Sequence, residues 1–184
     1  MIKEPTQLTL RAKFPRPTAA QIAAFKDVPT GFVCDAMDGV GGMETAISPL
    51  FDAHIAGCTV VVDNCSGGIG FVTDSPMRDL VGIQDVGLAT WCNGLNPNSP
   101  YANGPGCVGF DASVGGQLVR GGDIIVADID GVVVVPRARI DRVIAKLDAV
   151  RAAETAMEAK VKSEFSEHSR IIQMLTDGRA VMED

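Results

Sequence analysis

The spacing of apolar positions changes twice along the chain, and each change marks a change of element. Near the start, Ala20, Ile22, Ala23 and Phe25 follow Thr18 at helical steps, which predicts a short helix with Thr18 as its N-cap. A second helix follows Pro29-Thr30-Gly31, with Phe32, Val33, Ala36 and Met37 on one face and the Gly39–Gly42 cluster as its stop. Upstream, Pro5, Pro15 and Pro17 punctuate residues 1–17, which read as an extended arm over the surface.

From Ile55 the period becomes that of strands. Cys58-Thr59-Val60-Val61-Val62 is an unbroken, largely β-branched run, as expected of a strand buried on both faces. Ile69–Thr73, Leu88–Cys92, Cys107–Phe110, Gln117–Val119, Ile124–Ala127 and Val132–Val135 give further short strands. Between them, Asn93–Gly106 reads as a loop from its Pro, Asn and Gly turns, and Trp91 reads as core. Gly121-Gly122-Asp123 and Asp128-Ile129-Asp130-Gly131 supply turns, the second closed by Asx bonding from its aspartates. The pattern predicts one β-rich layer of six or seven strands.

Pro136 switches the period back. Ile140, Val143, Ile144, Leu147, Val150, Met157 and Val161 recur at three- and four-residue steps. The stretch they span is roughly 25 residues, about twice the mean helix length. Such a helix outruns one domain, so its outer half is expected to pack on a neighbouring subunit. A last short helix covers Ser169–Thr176 and ends at Gly178. The predicted organisation is an arm (1–17), a β-rich domain (18–136) and a C-terminal helical arm (137–184).

Composition narrows the chemistry. With 46% hydrophobic and 21% charged residues among 184, the chain can build a full core and is not globally disordered. It contains no apolar run of membrane-spanning length, and Met1-Ile2-Lys3-Glu4-Pro5 is not a signal-peptide core. A net charge of −7, with 16 Lys+Arg spread along the chain, argues against a nucleic-acid footprint. Cys34, Cys58, Cys65, Cys92 and Cys107 form no CxxC pair and read as reduced core thiols of a cytoplasmic protein. His54 and His168 stand far apart, too few for a His triad or a multi-His zinc site. Chemistry must then come from Asp, Glu, Arg and backbone amides.

The stretch Gly70-Phe71-Val72-Thr73-Asp74-Ser75-Pro76-Met77-Arg78-Asp79 is the most informative. A buried strand delivers a charged pair just past its C-terminal end, where ligands of α/β sheets bind. Arg78 offers a planar fork for a carboxylate, and Asp79 a hard oxygen for Mg²⁺ or Mn²⁺. On spacing alone, a surface ion pair or an acid opening a helix is the favoured reading over a functional one. Ser66, Gly67 and Gly68 read either as a small anion loop or as a plain turn. Glu154 and Glu158 read as a solvated helix face, His54 as a surface residue, and Tyr101 as a loop residue.

The segment GFVTDSPMRDLVGIQDVGLATWCNG resembles the signature region of a known family. That family holds regulator of ribonuclease activity A and the class II 4-hydroxy-4-methyl-2-oxoglutarate aldolases. The likeness continues through VGGQLVRGGDIIVADIDGVVVVPRARIDRVI, upstream in CDAMDGVGGMETAISPLFDAHIAGCTV, and in the C-terminal tail. The resemblance implies an α/β fold, a swivelling β/β/α domain with a long C-terminal helical arm, assembled as trimers or hexamers. It implies that Arg78 holds a pyruvyl carboxylate, with Ser66, Gly67 and Gly68 as a substrate-binding loop. Asp79 would hold the divalent metal. The activity implied is a metal-dependent aldolase or oxaloacetate decarboxylase acting on a short 2-oxo acid; the alternative is a non-catalytic protein that binds and regulates a ribonuclease or another partner. One departure stands out: between Asp63 and Gly70 the chain lacks the helix-strand-helix stretch that family members carry there.

Overall fold

The computed structural model describes residues 8–11, 13–58, 68–98, 106–163 and 169–179. In chain order it runs β1 (Leu8–Leu10), α1 (Ala19–Ala23), α2 (Thr30–Ala36), β2 (Ser48–Pro49), β3 (Ile55–Cys58), β4 (Gly70–Val72) and α3 (Leu80–Asp85). It continues with β5 (Ala89–Cys92), β6 (Gly106–Val108), β7 (Ala112–Val114), β8 (Gln117–Val119), β9 (Ile124–Asp128) and β10 (Gly131–Val135). A 3-10 turn, Arg137–Arg139, then leads into α4 (Ile140–Lys162), and α5 (Ser169–Thr176) follows. The helices obey their sequence signals. Thr18 caps α1 reciprocally, Gln21 N donating to Thr18 Oγ1 at 3.1 Å and Thr18 N to Gln21 Oε1 at 2.9 Å.

The strands do not form the single layer expected from their spacing. Among the described residues they make four small sheets: β10-β9-β3, β2-β5-β4, β1-β6 and β7-β8. The first is antiparallel throughout, with Val135 opposite Ile124 and Cys58 opposite Ile124 from the other side. In the second, β4 runs parallel to β5, pairing Phe71 with Thr90 and Val72 with Trp91, and α3 makes the crossover between them. The strands are short and change direction often, so several small sheets cover the core where one wide sheet would leave ends unpaired.

The N-terminal arm is also tied in more firmly than an arm over the surface. β1 pairs parallel to β6, and Arg11 N donates to Val108 O at 2.8 Å. Gly109, at φ 78°, makes this approach possible, since a Cβ there would stand 2.1 Å from Arg11 O.

Trp91, Val119, Ala127, Val132 and Val134, all from the apolar runs, form the central cluster together with Ile47, which belongs to none of them. Asp128 links it to α2. Its carboxylate accepts from Asp130 N (2.9 Å), the expected Asx bond, and also from Thr30 N and Thr30 Oγ1 (2.8 Å each). Its carbonyl accepts from Trp91 Nε1 at 2.8 Å. His54 is exposed, as expected.

The chain divides into two compact units, Met1–Asp148 and Ala149–Asp184. Ile140, Val143 and Leu147, the apolar stripe on the first turns of α4, are buried in the first unit. In the second, Met157 and Val161 on α4 and Ile172 and Leu175 on α5 are exposed. The cysteines divide likewise: Cys92 is buried and Cys34 half-buried, but Cys107 is exposed on β6, so it is not the core thiol its apolar neighbours suggested. The runs Val60–Val62 and Asp63–Gly67, and with them Cys65, Tyr101 and His168, lie outside the described residues.

Candidate active site

Parallel pairing does not stop where β4 ends. Thr73 N donates to Trp91 O at 3.0 Å, Asn93 N to Ser75 O at 3.3 Å, and Met77 N to Gly94 O at 3.0 Å. Asn96 N returns a bond to Met77 O at 2.9 Å, and Met77 bridges to Leu95 in parallel register. Ser75 N turns back to Thr73 Oγ1 at 3.0 Å, accommodating the Ser-Pro bend. Two irregular segments therefore leave the sheet side by side, and Arg78 and Asp79 come at the end of one of them.

Asp79 sits at the N-cap of α3 with φ 63° and ψ 41°. An N-cap residue normally has an extended backbone and turns its oxygen onto the first amides of the helix. Asp79 does neither; its side chain makes no capping bond, and its Oδ2 lies 3.2 Å from Arg78 Nε. The other non-glycine residues at positive φ, Asp27 and Asp38, follow the ends of α1 and α2, where a left-handed residue closes a helix. At Asp79 the same conformation opens one. A left-handed L-residue costs roughly 1 kcal/mol. The Arg78–Asp79 pair cannot offset that by much, because the side chains are 43% and 74% exposed and such surface pairs contribute about 0–1 kcal/mol. Helix capping thus does not account for this carboxylate, and the ion pair accounts for it weakly.

Arg78, Asp79, Leu80, Leu95, Asn96 and Pro97 line a cavity of about 420 Å³. Asn98 N donates to Asn96 Oδ1 at 2.8 Å, which holds the Asn96 amide with its NH₂ as the remaining polar end. The structure thus brings Arg78 and Asp79 together as expected. Gly68 is described and exposed but does not line the cavity, and Ser66 and Gly67 fall outside the described residues. Sequence reading left Leu95, Asn96 and Pro97 inside a loop. The register held their signal: with β4 and β5 parallel and Val72 beside Trp91, five residues beyond that pair bring Met77 to Leu95 and Asn96, and Asn96 N bonds Met77 O.

Among the described residues no group of three or more His, Cys, Asp or Glu could hold a metal ion. Asp79 with its exposed carboxylate suits a hard cation held chiefly by water, since Mg²⁺ is commonly bound through one or two carboxylates. It does not suit zinc, which takes three or four protein ligands.

Small mixed sheets, a parallel β4-β5 pair and a long C-terminal helix define a mixed α/β fold, similar to that of solved RraA-like structures. The comparisons agree: residues 64–134 match the RraA-like family model, described as Aldolase/RraA. A relative from Halalkalibacterium halodurans (strain C-125), named "Putative 4-hydroxy-4-methyl-2-oxoglutarate aldolase", is 25% identical over 184 aligned residues, covering 76% of this chain and 88% of its own. An uncharacterized protein from Pseudomonas syringae pv. tomato str. DC3000 matches in structure with a TM-score of 0.67 at 16% identity, over 83% of this chain and 97% of that one. Streptomyces coelicolor RraAS2, described as an unusual member of the RNase ES inhibitor RraA protein family, matches at 0.57 and 18% identity, over 84% and 98%. At these identities the two solved structures establish the fold alone.

Proposed function

We propose that the chain is a divalent-metal-dependent lyase that cleaves a short 2-oxo acid to release pyruvate, by aldol cleavage or by decarboxylation of oxaloacetate. The observation that carries this reading is Asp79: a carboxylate in a left-handed N-cap that caps nothing and stands beside Arg78 at the mouth of a cavity. The name of the Halalkalibacterium halodurans relative supports the same reaction class.

Each residue has a task that its chemistry suits. Arg78 presents a planar fork that binds the substrate carboxylate through two parallel hydrogen bonds. Asp79 would hold Mg²⁺ or Mn²⁺, the remaining positions being taken by water. When bound, the ion supplies positive charge that draws electrons toward the 2-oxo oxygen as the carbon–carbon bond breaks. Arg78 places a second fixed positive charge against the carboxylate next to that oxygen, so charge develops where donors already point. The Asn96 NH₂ offers a further donor on the same wall, and Leu80, Leu95 and Pro97 make the rest of the lining apolar. No Schiff-base lysine is called for. If Ser66, Gly67 and Gly68 serve the substrate, they do so by backbone amides. The protein would work in the cytoplasm as a homo-oligomer, trimeric or hexameric, which the apolar faces exposed on α4 and α5 support.

The exposure of both charged side chains, together with the short connection from Asp63 to Gly70, favours a second reading: a binding protein that regulates a ribonuclease or another partner. A coupled pyruvate-release assay separates the two. Wild-type protein given oxaloacetate or 4-hydroxy-4-methyl-2-oxoglutarate should release pyruvate with Mg²⁺ or Mn²⁺ and lose that activity in EDTA. No release from either substrate in the presence of metal would leave the binding-protein reading standing.

A further inference from the structure

A second cavity, of about 310 Å³, opens where the N-terminal arm crosses the turn between β8 and β9. We propose that it is a binding site for a small phosphate-bearing anion of the pyrophosphate type. It shares no lining residue with the Arg78–Asp79 cavity and does not depend on the function proposed above.

Charge carries the argument. Arg11, Lys13, Arg120 and Arg137 all line this cavity, a quarter of the 16 basic residues of a chain whose net charge is −7. Two acids line it as well, and both are engaged. Asp123 is 2% exposed, and its two oxygens accept from the backbone N–H groups of Arg120 and Arg137 at 2.8 Å each. Asp111 pairs with Arg120 Nε at 3.4 Å. Neither Lys13 nor Arg137 has an ion-pair partner among the described residues. Arg11 is held 4.0 Å over the Phe110 ring, a contact that orients a guanidinium without neutralising it. The walls thus keep two positive charges in excess of the acids. Such a cluster repels itself until an anion enters.

The geometry of the wall points the same way. Gly122, at φ 94°, lets the arm close against the turn; a Cβ there would stand 2.1 Å from Pro15 O. The arm that carries Arg11 and Lys13 is therefore seated against the turn that carries Arg120, and basic residues of both line one small space. Three guanidinium forks suit tetrahedral phosphate oxygens, which they bind in bidentate pairs, better than a single carboxylate. The volume admits a compact ligand and excludes a long polymer.

Calorimetric titration of the full chain with pyrophosphate, at ionic strength held constant with sodium chloride, tests this. One saturable site is expected, weakened at least about tenfold by Arg137→Gln, whose side chain makes no described contact that the fold needs, and likewise by Arg120→Gln. Lys26→Gln, outside the cavity, should leave the affinity unchanged. Three results overturn the proposal: no saturable binding, an equal loss in all three variants, or citrate binding as tightly as pyrophosphate. Should Arg120→Gln disturb the fold by circular dichroism, Arg137→Gln alone decides.

Discussion

Aspartate does several different things in this protein, and backbone position decides which. Asp38 closes α2 in the left-handed region and gathers Lys146 (2.5 Å), Arg142 (3.4 Å) and Arg139 (3.7 Å) from α4 and the turn before it. The hydrogen bond and charge of Lys146, followed by the arginines, hold its carboxyl below the ordinary value of 3.8. A depressed carboxyl contributes stability above its unfolded pKa and loses it as pH falls through the folded value. Asp38→Asn tolerates the same backbone, so it should flatten the melting temperature against pH below about pH 4 and leave the slope near neutrality unchanged; identical acid limbs would contradict this. The thiols make a second residue-scale contrast. Burial pushes the Cys92 and Cys34 thiols up, whereas Cys107 is exposed. Iodoacetamide followed by peptide mapping should modify Cys107 before Cys34, and Cys34 before Cys92, in the folded protein. Faster labelling of Cys92 would show that β5 is not buried.

At the scale of elements, what could be read from the sequence depended on length and on how far away the partner lay. The apolar runs that became β5, β9 and β10, and the three- and four-residue steps of α4, carry their own period and were legible. β1 is three residues long and pairs with β6 almost a hundred positions away, so nothing local distinguishes it from an extended arm. β7 did have a local signal. Gly115 and Gly116, both at positive φ, form the two-residue loop of the β7-β8 hairpin, a pattern that Gly-Gly between short apolar segments announces. The Arg78–Asp79 pair was visible because the strand before it was. Its neighbours Leu95 and Asn96 were not, because they depend on a parallel register that no single segment encodes. Asp128 shows how a turn residue can govern packing between elements. Asp128→Ala would remove the acceptor for Thr30 N, Thr30 Oγ1 and Asp130 N, costing about 2–4 kcal/mol. The melting temperature should fall by roughly 5–15 °C, while Asp130→Ala should cost little. Equal effects of the two substitutions would reduce Asp128 to an ordinary turn residue.

For the whole molecule, the question is what covers the second unit. Met157, Val161, Ile172 and Leu175 are about half exposed, and burying an apolar side chain of this size is worth about 1.5–3 kcal/mol. Homo-oligomerisation would remove them from water with no change to the rest of the fold. Multi-angle light scattering at micromolar concentration should give three or six times the 19.3 kDa chain mass. A stable 19.3 kDa species would contradict the assembly, and with it the reading of the long helix.

The central claim rests on one pair, and one comparison tests it most directly: metal-dependent pyruvate release from oxaloacetate by wild type, Asp79→Asn and Arg78→Lys. Asp79→Asn keeps the size of the side chain and its tolerance of the left-handed backbone at φ 63°, and removes only the charged oxygen. Arg78→Lys keeps the charge and removes the fork. Both should lower turnover by about 10²–10³, with melting temperatures close to that of wild type, as expected when a single preorganised electrostatic group is lost. Metal-dependent turnover that survives both substitutions would place the chemistry elsewhere in the protein.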